Sequence, residues 1–173
     1  MDKIALGGGC HWCTEAVFQS LVGVYKVEQG YVASHGDEAS WSEAVVVHFK
    51  ANEITLKTLI EIHLQTHKST SNHSMRKKYR SAIYTCSKQQ TKVSKQILIE
   101  LQSLFKNQLV TQVLPFESFK PSREQIRDYY YKNPEKPFCE NFITPKLRLL
   151  LNKYSALVNA EKLNHLTAMG NRG

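Results

Sequence analysis

The stretch Ala44-Val45-Val46-Val47-His48-Phe49 most limits what this chain can fold into. Apart from His48 it is apolar and largely β-branched, the pattern of a strand covered on both faces. The fold therefore needs a sheet with cover on either side of this strand. The neighbouring segments read accordingly. Ile4-Ala5-Leu6 is a short apolar strand, and Val17, Phe18 and Leu21 recur at helical spacing, with Gly23 as the expected C-cap. Tyr25, Val27, Gln29 and Tyr31 alternate along a strand from about Val24 to Val32, and Ser34 to Ser40 is a polar loop. Thr55 caps a helix with Leu56, Leu59, Ile60 and His63 on its apolar face, ending near His67. Arg80 to Cys86 is a further strand, with Ala82, Tyr84 and Cys86 on one side and Ser81, Ile83 and Thr85 on the other.

The order β-α-β-β-α-β predicts an α+β fold, a ferredoxin-like (split β-α-β) two-layer sandwich with added C-terminal helices. Those additions begin with a long helix through Val93, Ile97, Leu101, Leu104 and Phe105, then a strand over Val110 to Phe116. Ser122-Arg123-Glu124-Gln125 is a capping box, expected to open a helix carrying Ile126, Tyr129 and Tyr130 and to stop at Asn133-Pro134. Phe138-Cys139 reads as an irregular segment between prolines, and Pro145 begins a helix through Leu147, Leu150, Leu151 and Tyr154. With no repeat and no linker, one domain over 1–166 is expected, followed by a flexible tail at 167–173.

Composition narrows the function classes. The net charge of +8 is scattered over helices and accompanies no nucleic-acid motif, so it argues for solubility rather than nucleic-acid binding. No apolar run reaches bilayer length, and the N-terminus lacks the basic-then-apolar pattern of a secretion signal. A cytoplasmic monomer without membrane or nucleic-acid partners is expected. Four cysteines in a reducing compartment point to catalysis, metal binding or burial rather than a disulfide framework.

Chemistry concentrates in Gly7-Gly8-Gly9-Cys10-His11-Trp12-Cys13-Thr14-Glu15. Cys10 falls at a helix start, where free N–H groups and the positive end of the dipole favour thiolate, the reactive form. Glu43 begins the most apolar strand, where partial burial suits a carboxyl to act as an acid. Trp12 can wall a small apolar pocket, and Tyr79 or Tyr84 can offer a phenol to an oxyanion; each is also an ordinary packing residue. The Cys10-x-x-Cys13 pair leaves three readings open. A zinc site needs further ligands such as His67 and His73. A thiol-disulfide oxidoreductase of thioredoxin type places C-x-x-C at a helix start, yet no proline precedes Pro115. The third reading is a cysteine reductase that attacks its substrate with one thiol and regenerates it with another.

Gly9-Cys10-His11-Trp12-Cys13-Thr14-Glu15 resembles the Gly-Cys-Phe-Trp-x-x-Glu motif of A-type peptide methionine sulfoxide reductases. The resemblance continues through Gly23-Val24-Tyr25, Gly30-Tyr31, Glu43-Ala44-Val45, His67, Tyr79-Arg80-Ser81-Ala82-Ile83-Tyr84, Asn133-Pro134 and Phe138-Cys139. It implies reduction of the S epimer of methionine sulfoxide, free or in proteins, as protein repair under oxidative stress. Cys10 would attack the sulfoxide sulfur, Glu43 would protonate its oxygen, Tyr79 would help bind that oxygen, and Trp12 would hold the methyl group. Cys10 would be left as a sulfenic acid, resolved by a second thiol and recycled by thioredoxin or another thiol reductant, with no bound cofactor and no metal. Cys13 is the preferred resolving thiol, Cys139 the second candidate, and Cys86 reads as buried and structural. Two departures touch the substrate pocket. His11 stands where the family has phenylalanine, and Trp41 stands where it has histidine, two residues before the acid. The 32–42 loop is also shorter than usual.

Overall fold

A computed structural model describes residues 2–170 of the chain. Its strands are β1 (Asp2–Gly7), β2 (Val24–Ala33), β3 (Ser42–Phe49), β4 (Ala82–Thr85), β5 (Gln112–Pro115) and β6 (Ser118–Pro121). Its helices are α1 (His11–Gln19), α2 (Leu56–Gln65), α3 (Lys88–Leu101), α4 (Tyr129–Lys132), α5 (Thr144–Lys153) and α6 (Asn164–Gly170). The fold is mixed α+β. One six-stranded sheet runs β5-β4-β1-β3-β2-β6, with every neighbouring pair antiparallel except the parallel β4–β5 edge.

Register explains why β3 is apolar on both sides. Ile4 pairs with Val47 and Leu6 with Val45, so these side chains share a face. That face, with Phe49 and Ile83, joins Ala16, Val17 and Phe18 of α1, Leu59, Ile60 and Ile62 of α2, Ile97 of α3 and Leu147 and Leu150 of α5 in one core. The opposite face holds Ala5, Val32, Ala44, Val46, Ala82 and Tyr84, and no helix covers it; Leu114, Phe116 and Phe119 pack there instead. Arg80 completes this second cover. Its guanidinium donates to the Tyr84 hydroxyl at 3.0 Å and the Ser40 carbonyl at 2.9 Å, and it pairs with Glu38 at 2.6 Å. These bonds draw the short 34–41 loop across the sheet.

Several expectations need correction. The first helix ends at Ser20, and Gly23 instead takes the left-handed turn into β2 (φ +90°). The Ser122 capping box opens no regular helix. Its hydroxyl is buried without a partner, Glu124–Ile126 makes a single 3-10 turn, and Asp128 at φ +54° separates that turn from the four-residue α4. Residues 118–121, not recognised from sequence, form the edge strand β6. Phe138-Cys139 is not irregular: Cys139–Ile143 forms a π-helical turn running into α5, with Cys139 fully buried. Cys86, expected inside, is exposed just past β4. The expected tail boundary falls within α6, and residues 171–173 lie outside the described residues. No helix among the described residues is long and apolar enough to cross a membrane.

Candidate active site

The glycine turn after β1 is pinned from below by two histidines, His63 buried and His67 half-buried. His63 Nε2–H donates to the Gly7 carbonyl at 2.8 Å, and His67 stands so close to Gly8 that a Cβ there would meet its ring at 2.3 Å. His67 in turn bonds the His63 carbonyl and the Ser81 hydroxyl. Burial keeps both imidazoles neutral, with His63 pushed down to about 4 and His67 well below its ordinary range. From the other side, Arg76 donates to the carbonyls of Gly8 (2.9 Å) and Tyr79 (2.8 Å), tying the 66–81 segment to the turn. The backbone entering α1 is therefore held before any substrate arrives.

Cys10 is the N-cap of α1, with its carbonyl accepting the Cys13 and Thr14 N–H groups at 3.1 and 3.3 Å. No side-chain oxygen caps this terminus from Cys10, so the thiol itself meets the free donors. A hydrogen bond from the Cys13 thiol does most to hold Cys10 below the ordinary thiol range. The N–H groups of Trp12 and Cys13 help, while burial and the Glu43 charge oppose. Cys13 carries the complementary shift: donating to Cys10 and being buried both push it up. The half-buried Cys10 is thus the thiol of the pair that ionises more readily, and Cys13 the one held protonated.

Glu43 reaches the same terminus from the start of β3. Its Oε1 accepts the His11 N–H at 3.2 Å, one residue past Cys10, and only 7% of the residue is exposed. Lys78 Nζ stands 3.8 Å from Glu43 Oε2 and 5.1 Å from the centre of the Tyr79 ring, linking the acid to the half-buried Tyr79. His11 is buried; its Nδ1–H donates to the Gly30 carbonyl at 2.8 Å, and its Nε2 faces Glu43 Oε1 at 3.4 Å. Gly30 is required here: a Cβ would lie 2.2 Å from the Lys120 carbonyl of β6.

The apolar side of the site is aromatic. Tyr129 stacks on Trp12 at 4.0 Å, and Phe138 meets Trp12 edge-on at 5.4 Å. Glu15 explains why Tyr129 is there. Buried in α1, its carboxylate accepts from Gln29 (2.9 Å) and from the backbone N–H groups of Asp128 (3.0 Å) and Tyr129 (3.2 Å). On the opposite flank Trp41 is exposed and lines, with Tyr31, Lys120, Pro121, Arg123 and Ile126, a groove of about 400 Å³.

Most of the residues singled out from sequence therefore converge on the start of α1: Cys10, His11, Trp12, Cys13, Glu43 and, through Lys78, Tyr79. Trp41 lies in the adjoining groove, and Cys139 is buried close enough to Cys13 for their charges to interact. Sequence reasoning missed Lys78 and Tyr31. Tyr31 faces Glu43 in the β2–β3 register and lies edge-on to His11 at 5.2 Å. The strand alternation alone could have flagged Tyr31; nothing local could have flagged Lys78. Among the described residues no three His, Cys, Asp or Glu side chains gather as a metal site.

The sequence matches a known family. Residues 2–157 match the family described as peptide methionine sulfoxide reductase. The chain belongs to that family. Peptide methionine sulfoxide reductase MsrA of Trichodesmium erythraeum is 32% identical over 92% of this chain and 99% of its own length. Among solved structures, reduced Mxr1 from Saccharomyces cerevisiae superposes with a TM-score of 0.67 at 24% identity, over 80% of this chain and 88% of Mxr1. Mxr1 in complex with Trx2 gives a TM-score of 0.56 at 24% identity, over 72% and 82%.

Proposed function

We propose that this chain reduces the S epimer of methionine sulfoxide, free or in oxidised proteins, to methionine. Cys10 is the nucleophile and Glu43 the acid. The observation that carries this reading is that both reach one helix terminus: a readily ionised thiol at the N-cap and a carboxyl on the next N–H. The Cys10 thiolate attacks the sulfoxide sulfur as Glu43 gives its proton to the oxygen. The substrate S–O bond breaks, methionine leaves, and the oxygen and proton remain on Cys10 as S–OH. The substrate sulfur gains two electrons and the Cys10 sulfur loses two. Trp12 and the rings around it receive the methyl group, Tyr79 supports the oxygen, and His11 and Trp41 shape the pocket beyond.

Cys13 then attacks the Cys10 sulfur, the hydroxyl leaves as water with the Cys13 proton, and a disulfide forms. A helix-start i, i+3 pair whose thiols are close enough to shift each other's ionisation suits this step. Cys139, buried beside Cys13, is the second candidate. Thioredoxin or another thiol reductant supplies the two electrons that reopen the disulfide, a reading favoured by the fold likeness to Mxr1, solved with Trx2. Protein repair in the cytoplasm is the role this chemistry suits. The core running from Ile4 to Leu166 fits a single domain over 1–166. The four central strands also read as a ferredoxin-like, split β-α-β unit. In the order β4-β1-β3-β2, α1 joins β1 to β2 across β3 and α2 joins β3 to β4 across β1.

The test is turnover of the separated sulfoxide epimers with thioredoxin recycling. The S epimer alone should be reduced, and Cys10→Ser should be inactive. Equal turnover of both epimers, or an active Cys10→Ser with insulin disulfides as the better substrate, overturns the reading.

A further inference from the structure

His11 occupies an unusual position for a side chain beside an acid. Its Nδ1 lies 2.8 Å from the Gly30 carbonyl, which can only accept, so the ring proton is committed there. Nε2 is left with a lone pair, and it points at Glu43 Oε1 at 3.4 Å. A bare imidazole nitrogen and a bare carboxylate oxygen repel. The contact is favourable only if one proton lies between them, on the carboxyl or on the imidazole. Both side chains are buried and lack room to turn away: Tyr31 stands edge-on to the imidazole at 5.2 Å, and the His11 N–H already holds Oε1.

We propose that His11 is a positioning residue that retains, between its Nε2 and Glu43 Oε1, the proton delivered to the sulfoxide oxygen. This rests on the assignment of Glu43 as the acid. When Glu43 gives up that proton, its carboxylate faces the Nε2 lone pair and the pair recovers one proton from solvent before the next cycle. The charged groups around His11 are Glu43 from β3 and Lys78 from the 66–81 segment, with the Cys10 thiolate at the helix start and the Tyr31 phenol of β2 beside it. Lys78 Nζ approaches the other carboxyl oxygen, Oε2, at 3.8 Å, leaving Oε1 to the imidazole. Burial holds His11 below its ordinary range, against the Gly30 carbonyl and the Glu43 charge, which raise it.

His11→Asn keeps a donor where Nδ1 lies and deletes the Nε2 acceptor. Single-turnover reduction of N-acetylmethionine S-sulfoxide, followed from pH 5 to 9, should show the alkaline limb moving to lower pH by about one unit. That is about a tenfold loss at pH 8 with little change at pH 5.5. A limb that does not move overturns the proposal. Nitrogen-15 NMR of the histidine rings gives a readout independent of activity. His11 should carry its proton on Nδ1, and its titration should move to lower pH in Glu43→Gln. An Nε2–H tautomer, or a titration unaffected by Glu43→Gln, refutes the shared proton even if turnover in the wild type and its loss in Cys10→Ser uphold the reductase assignment.

Discussion

At the residue scale the site divides one hydrogen bond into two chemical roles. Cys13 donates to Cys10, so one sulfur is favoured as thiolate and the other held as thiol. The nucleophile is thereby chosen by position, because only Cys10 sits at the N-cap, where N–H groups of the first turn converge. The i, i+3 placement on the first turn of α1 keeps the resolving sulfur on the same side of the helix as the atom it must attack. Cys13→Ser preserves a donor to Cys10 but removes the resolving thiol. It should reduce one equivalent of sulfoxide at close to the wild-type rate, then stall with Cys10 as a sulfenic acid that dimedone traps. Thioredoxin-supported turnover should fall about tenfold or more. Unchanged steady-state turnover in Cys13→Ser, with a stall in Cys139→Ser instead, assigns resolution to Cys139.

At the element scale, α4 is a four-residue helix that could not persist alone, since helix nucleation is unfavourable. Its start is held by Glu15, which accepts the N–H groups of Asp128 and Tyr129 and so sets Tyr129 against Trp12. Glu15→Ala would leave those two backbone donors without their acceptor inside the protein and the Gln29 amide with only the Ile126 carbonyl. A stability loss on the order of 3 kcal/mol in urea unfolding is expected, with Trp12 more open to acrylamide quenching. A loss below about 0.5 kcal/mol would show that packing rather than Glu15 holds this cover.

At the scale of the whole molecule, the buried His63 and half-buried His67 beneath the glycine turn give folding a pH dependence. At neutral pH His63 is uncharged whether the chain is folded or unfolded and contributes no slope. Between its usual 6.5 and the buried value of about 4, the unfolded chain binds a proton that the folded chain does not, so stability falls as pH falls. The full effect of His63 is on the order of 3 kcal/mol, and His67 acts in the same direction. Urea midpoints should drop from pH 7 to pH 4.5, and His63→Gln, which can still donate to Gly7, should flatten the slope. A midpoint independent of pH would rule this out.

What the amino-acid sequence determined by itself is whatever repeats along the chain or lies within a few residues. The valine run of β3 needed cover on both faces, and Cys10 needed only a strand, a glycine turn and a helical period to be placed at an N-cap. The motifs from Gly9 to Glu15 and from Tyr79 to Tyr84 sufficed to point to the family. The short β6 was not legible, because Ser118-Phe119-Lys120-Pro121 is polar and ends in proline, tolerable only at a sheet edge beside Gly30. The Ser122 box failed for a related reason: its local pattern was outweighed by the bonds from Asp128 and Tyr129 to Glu15. Only the tertiary structure decided that His11 meets Glu43, that Lys78 lies between Glu43 and Tyr79, that Cys139 is buried and that Cys86 is exposed. Each of these depends on strand register or on distant segments meeting, and contacts of that kind leave no period in the chain.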